Sequence, residues 1–159
     1  MSFKVGDRVV YPHHGAAKIA RKEKRELLGE TKEYFVLEMV HGELTLSVPI
    51  DKAEEVGMRP PMSEADVEDL FRLIGKRDVR EPANWSRRFK NHQEKMKSGD
   101  VYQVAEVVRN LALRDKGKGL STAEKSMLER ARSILVSELG FALDISEDDA
   151  LAKLEKGLE

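Results

Sequence analysis

The sequence predicts an α+β protein, a small β barrel followed by an all-α helical domain. Three observations carry this. Up to about residue 60, short apolar runs alternate with glycine-bearing turns, as short strands of a curled sheet require. Past Arg59-Pro60-Pro61-Met62, apolar residues recur at spacings of three and four, the period of an amphipathic helix. Between these regions, two consecutive prolines resist both helix and central strand. The 159 residues suit one domain or two small ones, at about 150 residues per domain, and suffice to bury a core. The division is placed at 1–60 and 61–159.

In the first region, Val5-Gly6-Asp7-Arg8-Val9-Val10-Tyr11 gives turn residues and then a short strand, which Pro12 ends because proline cannot donate to a ladder. Gly15 to about Lys24 fits a second strand, and Leu28-Gly29-Glu30 supplies a turn. Glu33 to Val40 holds Tyr34, Phe35, Val36, Leu37 and Met39, an aromatic and β-branched run suited to a buried strand. His41-Gly42 makes a tight turn. Glu43 to Ile50 alternates, with Leu44, Leu46 and Val48 facing one way and Glu43, Thr45 and Ser47 the other. The expected total is four to five short strands.

In the second region, Ser63 with Asp66 caps a helix carrying Val67, Leu70, Phe71, Leu73 and Ile74, and Gly75 stops it. Asn84 caps a helix through about Lys97. Ser98-Gly99-Asp100 separates it from a stripe of Val101, Val104, Ala105, Val108, Leu111 and Ala112. Lys116-Gly117-Lys118-Gly119 breaks that helix. Ser121 and Glu124 form a capping box for a long helix through about Leu139, which Gly140 ends. Ser146 with Glu147, Asp148 and Asp149 starts a short last helix, with Ala150, Leu151 and Leu154 inward.

Composition narrows the function. Apolar residues make up 40% and charged residues 36%, with a mean hydropathy of −0.51, which fits a globular chain rather than a disordered one. Zero cysteines exclude disulfides, thiolate metal sites and a cysteine nucleophile. No apolar run reaches the roughly 18 residues of a membrane span, and no signal peptide is visible at the start. A cytoplasmic protein that does not engage membrane is expected. The net charge of −1 conceals a pattern. Residues 81–120 carry nine Lys/Arg against five Asp/Glu, a net of +4, and residues 121–159 carry five against nine, a net of −4. Local basic excess matters more to nucleic acid than total charge, although a solvated helix face gives the same pattern.

Enzyme constellations fail, so no catalytic residue, metal or cofactor is expected. His13 and His14 are adjacent, so on a strand they point to opposite faces, and no carboxylate motif accompanies them, His41 or His92. Lys116-Gly117-Lys118-Gly119-Leu120-Ser121 lacks the glycine spacing and preceding strand of a phosphate loop. Asp148-Asp149 is explained by its place at a helix start.

Asn84-Trp85-Ser86-Arg87-Arg88-Phe89-Lys90 stands apart, because it holds the only tryptophan in the chain, in the basic region and at a helix start. A Trp in a first helical turn beside Arg87, Arg88 and Lys90 can stack on a base or wedge between base steps while the cations hold the backbone. The other reading puts Trp85 in the helical core of a non-enzymatic protein-interaction adaptor.

These residues also carry a resemblance. Phe3-Lys4-Val5-Gly6-Asp7-Arg8-Val9-Val10-Tyr11-Pro12-His13-His14-Gly15 resembles the start of CarD-type bacterial transcription factors, in particular the actinobacterial type. Glu81 to Lys90 resembles their DNA-facing motif. Ser98-Gly99-Asp100, Val104 to Arg109, and Gly119-Leu120-Ser121 with Glu124-Lys125 match in the same order. The likeness runs from Phe3 to about Leu139.

The resemblance implies a Tudor-like N-terminal barrel that docks on the β subunit of RNA polymerase. It implies a helical domain lying on promoter DNA at the upstream edge of the transcription bubble, with its tryptophan in the minor groove. The result is a longer-lived open complex without catalysis. Carried over by position, Trp85 is the wedge, with Arg87, Arg88 and Lys90 beside it and Arg114 and Lys125 at further basic positions. Arg25, Leu27 and Ser47 fall at polymerase-contacting positions. Ser47 departs from the arginine common in actinobacterial relatives, leaving a neutral donor and acceptor. A monomer is favoured. The responding promoters, the sign of regulation at each, and the role of the acidic segment after Gly140 are not encoded legibly.

Overall fold

The structure is a computed structural model that describes residues 3–11, 15–40 and 43–159. The chain divides into two compact units, Met1–Pro61 and Met62–Glu159. The readings at Pro12, His13, His14 and His41-Gly42 lie outside the described residues.

The first unit is a four-stranded antiparallel meander of β1 (Arg8–Tyr11), β2 (Gly15–Leu27), β3 (Glu30–Met39) and β4 (Thr45–Pro49), ordered β1-β2-β3-β4. A single turn of 3₁₀ helix follows at Ile50–Lys52. The chain then returns to β1, where Val10 and Arg59 exchange backbone hydrogen bonds of 2.7 and 3.2 Å. The sheet is thus a curled half-barrel of the Tudor-like type, with a single bridge on its β1 side in place of a fifth strand. Val9, Ala17, Ile19, Phe35, Leu37, Met39 and Val48 line its concave face, joined by Phe3, Ala53 and Met58.

Two details differ from the sequence reading. β2 reaches Leu27 rather than Lys24, and Leu28-Gly29 alone closes the hairpin, both at positive φ (54° and 81°). A two-residue loop of that hand matches the strand twist. Leu44 lies outside β4 and is exposed, while Leu46 and Val48 do turn inward. The pairing of β2 with β3 also shifts register between Ile19 and Arg21, as a β-bulge does.

The second unit contains α1 (Glu64–Ile74), α2 (Trp85–Lys97), α3 (Val101–Gly117), α4 (Thr122–Leu143) and α5 (Glu147–Leu158). Ser63 and Asp66 close a reciprocal capping box on α1, and Ser121 and Glu124 close another on α4. Asn84 and Ser146 accept from the third backbone N–H of α2 and α5, and Asp100 caps α3. The core gathers Val67, Leu70 and Ile74 of α1; Val104, Ala105, Val108 and Leu111 of α3; Leu128, Ala131, Leu135 and Leu139 of α4; and Ala150, Leu154 and Leu158 of α5.

Gly140 does not end α4. The helix runs on to Leu143 and stops at Asp144, which takes the left-handed conformation (φ 55°) and donates to the Gly140 carbonyl. Gly140 is instead a point of close approach, since a Cβ there would stand 3.2 Å from the Ile145 carbonyl oxygen.

Candidate polymerase and nucleic-acid interfaces

In the sheet, Arg21, Glu23, Arg25 and Leu27 alternate onto the outer face of β2, opposite Val36, Tyr34, Lys32 and Glu30 of β3. Ser47 of β4 is registered with Val36 on that same face. The Arg25 guanidinium lies 5.3 Å above the Tyr34 ring, a cation–π geometry. It donates to Glu23 Oε2 and to Ser47 Oγ, each at 3.0 Å. Arg21 donates to Glu23 Oε1 at 2.8 Å. The hydrogen bonds from Arg21 and Arg25 hold the Glu23 carboxyl below the usual carboxylate range. Two of the positions that the resemblance implies for polymerase contact, Arg25 and Ser47, thus touch directly. The third, Leu27, stands 68% exposed at the hairpin tip beside Leu28, which is 98% exposed.

In the helical unit, Asn84 starts α2 by accepting from the Arg87 N–H at 3.0 Å. No acidic residue of α2 itself lies in its first turn. Trp85 is 43% exposed and lies outside the apolar core, which removes the reading of Trp85 as a core residue. Its ring stacks on Phe89, one turn on, with centroids 4.9 Å apart and planes inclined by 10°. The indole Nε1–H donates to Glu124 Oε1 at 3.1 Å. Arg87 and Lys90 are exposed and, with Asn84, Ser86, Asn91 and the acidic Glu94, line a groove along the helix.

The structure removes Arg88 from the exposed basic set. It is 2% exposed, its Nη1 directed at the carbonyls of Pro82 and Ala83 (3.4 and 3.5 Å) and its Nε 3.6 Å from Glu124 Oε2. Helical periodicity explains the difference. Arg88 shares its face with His92, and those two are the buried residues of α2. Arg114 is half-buried, with Nε 4.0 Å from Glu124 Oε2, whereas Lys125 is exposed.

Glu124 is therefore a hub that the sequence reading treated only as half of a capping box. It is 2% exposed. Its Oε1 accepts from the Ser121 N–H (3.2 Å), the Ser121 hydroxyl (3.0 Å) and the indole, while Oε2 faces two guanidiniums. Burial alone would raise its pKa. The hydrogen bonds from Ser121 and Trp85 and the charge of Arg88 outweigh burial and hold it below the usual range. A second polar anchor joins His92 Nε2 to Glu81 Oε1 at 2.7 Å. Glu81 too is held low against its own burial, by the hydrogen bond and charge of His92, so it is a carboxylate and the imidazole donates. A third anchor is Lys95 to Glu106 at 2.7 Å. Sequence reasoning missed all three partners, since the pairs span 39, 11 and 11 positions and no local period reports such contacts.

Among the described residues, no cluster of metal-ligating side chains and no helix long and apolar enough to cross a membrane is present.

Comparison with known proteins fits both units. The CarD-like/TRCF RID domain model matches residues 3–62, and the CarD C-terminal domain model matches residues 69–155. A Bacillus subtilis (strain 168) protein named "Putative transcription factor YdeB" is 33% identical over 145 residues, covering 91% of this chain and 95% of that protein. Two solved structures are also similar to part of the chain. The solution NMR structure of the 72-residue N-terminal domain of Myxococcus xanthus CarD is 27% identical, covering 37% of this chain and 79% of that one, with a TM-score of 0.32. CdnLNt from the same organism is 34% identical, covering 40% and 90%, with a TM-score of 0.35. With both domain models matched in order and a relative aligned over nearly its whole length, the chain belongs to the CarD family of transcription factors, its N-terminal domain being of the RNA polymerase-interacting type.

Proposed function

We propose that this protein binds the RNA polymerase β subunit through the outer face of its sheet and stabilises the open promoter complex by placing Trp85 in the minor groove at the upstream edge of the bubble. The observation that carries the reading is Trp85 itself, a large apolar ring held partly exposed at the start of α2, the helix that also exposes Arg87 and Lys90. An indole so placed can enter between base steps while Arg87 and Lys90 meet the phosphates. Lys125 extends the basic surface, and Arg114 supports it from a half-buried position. Arg88 serves by holding α2 in place.

On the sheet, Arg25 reaches across to Ser47, so a cation occupies the place where relatives carry an arginine on β4. Leu27 and Leu28 add an apolar knob beside it. A net of +4 over residues 81–120 gives weak, salt-sensitive attraction to DNA rather than sequence reading. Specificity then comes from where polymerase holds the factor, because tethering raises the effective DNA concentration to roughly millimolar. Even ~1 kcal/mol of preference for the open state shifts the open-to-closed ratio about fivefold.

Open-complex half-life after competitor challenge, with and without the protein, tests the reading. The wild type lengthens the half-life, and Trp85→Ala abolishes the gain while leaving polymerase binding intact. Equal half-lives for the two would sink the wedge role.

A further inference from the structure

We propose that Glu124 is a positioning residue for the Trp85 indole, holding the ring ready before any DNA is met. The inference rests on Trp85 being the group that engages DNA, and deepens it. A capping box needs one carboxylate oxygen to accept one backbone N–H. Glu124 does more. Its Oε1 also takes the indole Nε1–H of α2, and its Oε2 faces Arg88 of α2 and Arg114 of α3. The carboxylate is closed off from water and its pull on the indole is not shared with solvent. Phe89 supports one face of the indole. With a face and the N–H both fixed, the remaining face and edge are presented in a single orientation. Trp85 thus gives up little rotamer freedom on insertion, a saving that corresponds to roughly a two- to tenfold effect on complex lifetime. The indole N–H is also spent inside the protein, so the inserted ring acts as an apolar wedge rather than as a donor to base edges.

The fold supplies a variant that separates the clamp from the cap. The box on α1 is closed by an aspartate, Asp66, so Asp at the same helix position can close the box on α4. Glu124→Asp retains the cap and the charge facing Arg88 but is one methylene too short to hold the indole as well. Ser121→Ala does the reverse, weakening the cap and leaving the indole bond in place. The chain has one tryptophan, so its indole N–H gives a single resonance in a ¹H–¹⁵N spectrum of the full-length protein. That proton is expected to exchange slowly with solvent in the wild type and in Ser121→Ala, and fast in Glu124→Asp. In the promoter assay Glu124→Asp shortens open-complex half-life two- to tenfold with polymerase binding unchanged, and Ser121→Ala does not.

Equally fast indole exchange in wild type and Glu124→Asp overturns the proposal. So does a Glu124→Asp protein with wild-type half-life under conditions where Trp85→Ala shortens it. Failure of the wedge reading is told apart by Trp85→Ala alone, since the exchange experiment reads the Glu124 contact without DNA.

Discussion

Arg87 and Arg88 are neighbours with opposite fates. The helix turns one to solvent and the other into a buried network of Pro82, Ala83 and Glu124. Removing one member of a buried ion pair strands the other charge, at about 3–5 kcal/mol. Arg88→Ala is therefore expected to destabilise the helical unit by that order, as read by urea unfolding. Arg87→Ala is expected to stay within about 0.5 kcal/mol, yet to lower the salt dependence of DNA binding by about one phosphate contact. In the sequence both arginines read as basic residues beside Trp85. What separates them is the phase of the helix against partners on other elements, which the string Trp85 to Lys90 does not contain. The exposed position of Trp85 was legible as a possibility, because a tryptophan in a polar, basic first turn has little apolar company there. Its hydrogen bond to Glu124 was not.

Helices α1, α3, α4 and α5 meet through apolar faces, and their periodic residues made them readable from sequence, including the Ser63–Asp66 and Ser121–Glu124 boxes. Helix α2 departs from this. It is held by polar anchors at Arg88, His92 and Lys95, spaced four and three along one face. The helix that presents Trp85 thus relies on directional contacts, with Met96 adding an apolar one against the core. Where the sequence reading missed an element boundary, the cause was local. Gly140 looks like a stop but lies within α4 because the α4–α5 turn passes too close for a side chain. Alanine normally gains about 1 kcal/mol over glycine inside a helix. At Gly140 the new Cβ meets a backbone oxygen that the left-handed turn at Asp144 holds in place. Gly140→Ala is expected to lower the melting temperature instead, and a thermal scan decides the sign.

Across the whole molecule, acid acts unevenly. Glu81 and Glu124 are both held below the ordinary value of 4.5 in the folded helical unit. A carboxylate with a depressed folded pKa adds stability that is present above the unfolded value and lost as pH falls through the folded one. Stability of the helical unit is expected to fall as pH drops below about 4. In Glu81→Gln the fall becomes shallower, a change visible in denaturation midpoints measured along that pH range. Charge is just as unevenly placed, with the basic excess gathered in residues 81–120 and the acidic excess after it, so the proposed DNA contact draws on a restricted stretch of the chain. The sheet has a corresponding economy. The register shift between Ile19 and Arg21 inserts Ala20 without a partner, and this single residue reverses parity along β2. Before it, odd-numbered Ala17 and Ile19 point into the core; after it, odd-numbered Arg21, Glu23, Arg25 and Leu27 point out. Without it the arginines would take the sheet face that Lys22, Lys24 and Glu26 now hold. One extra residue instead lets a single strand serve as core wall at one end and as the proposed contact face at the other, so the surface proposed to meet polymerase owes its composition to a counting offset within the strand.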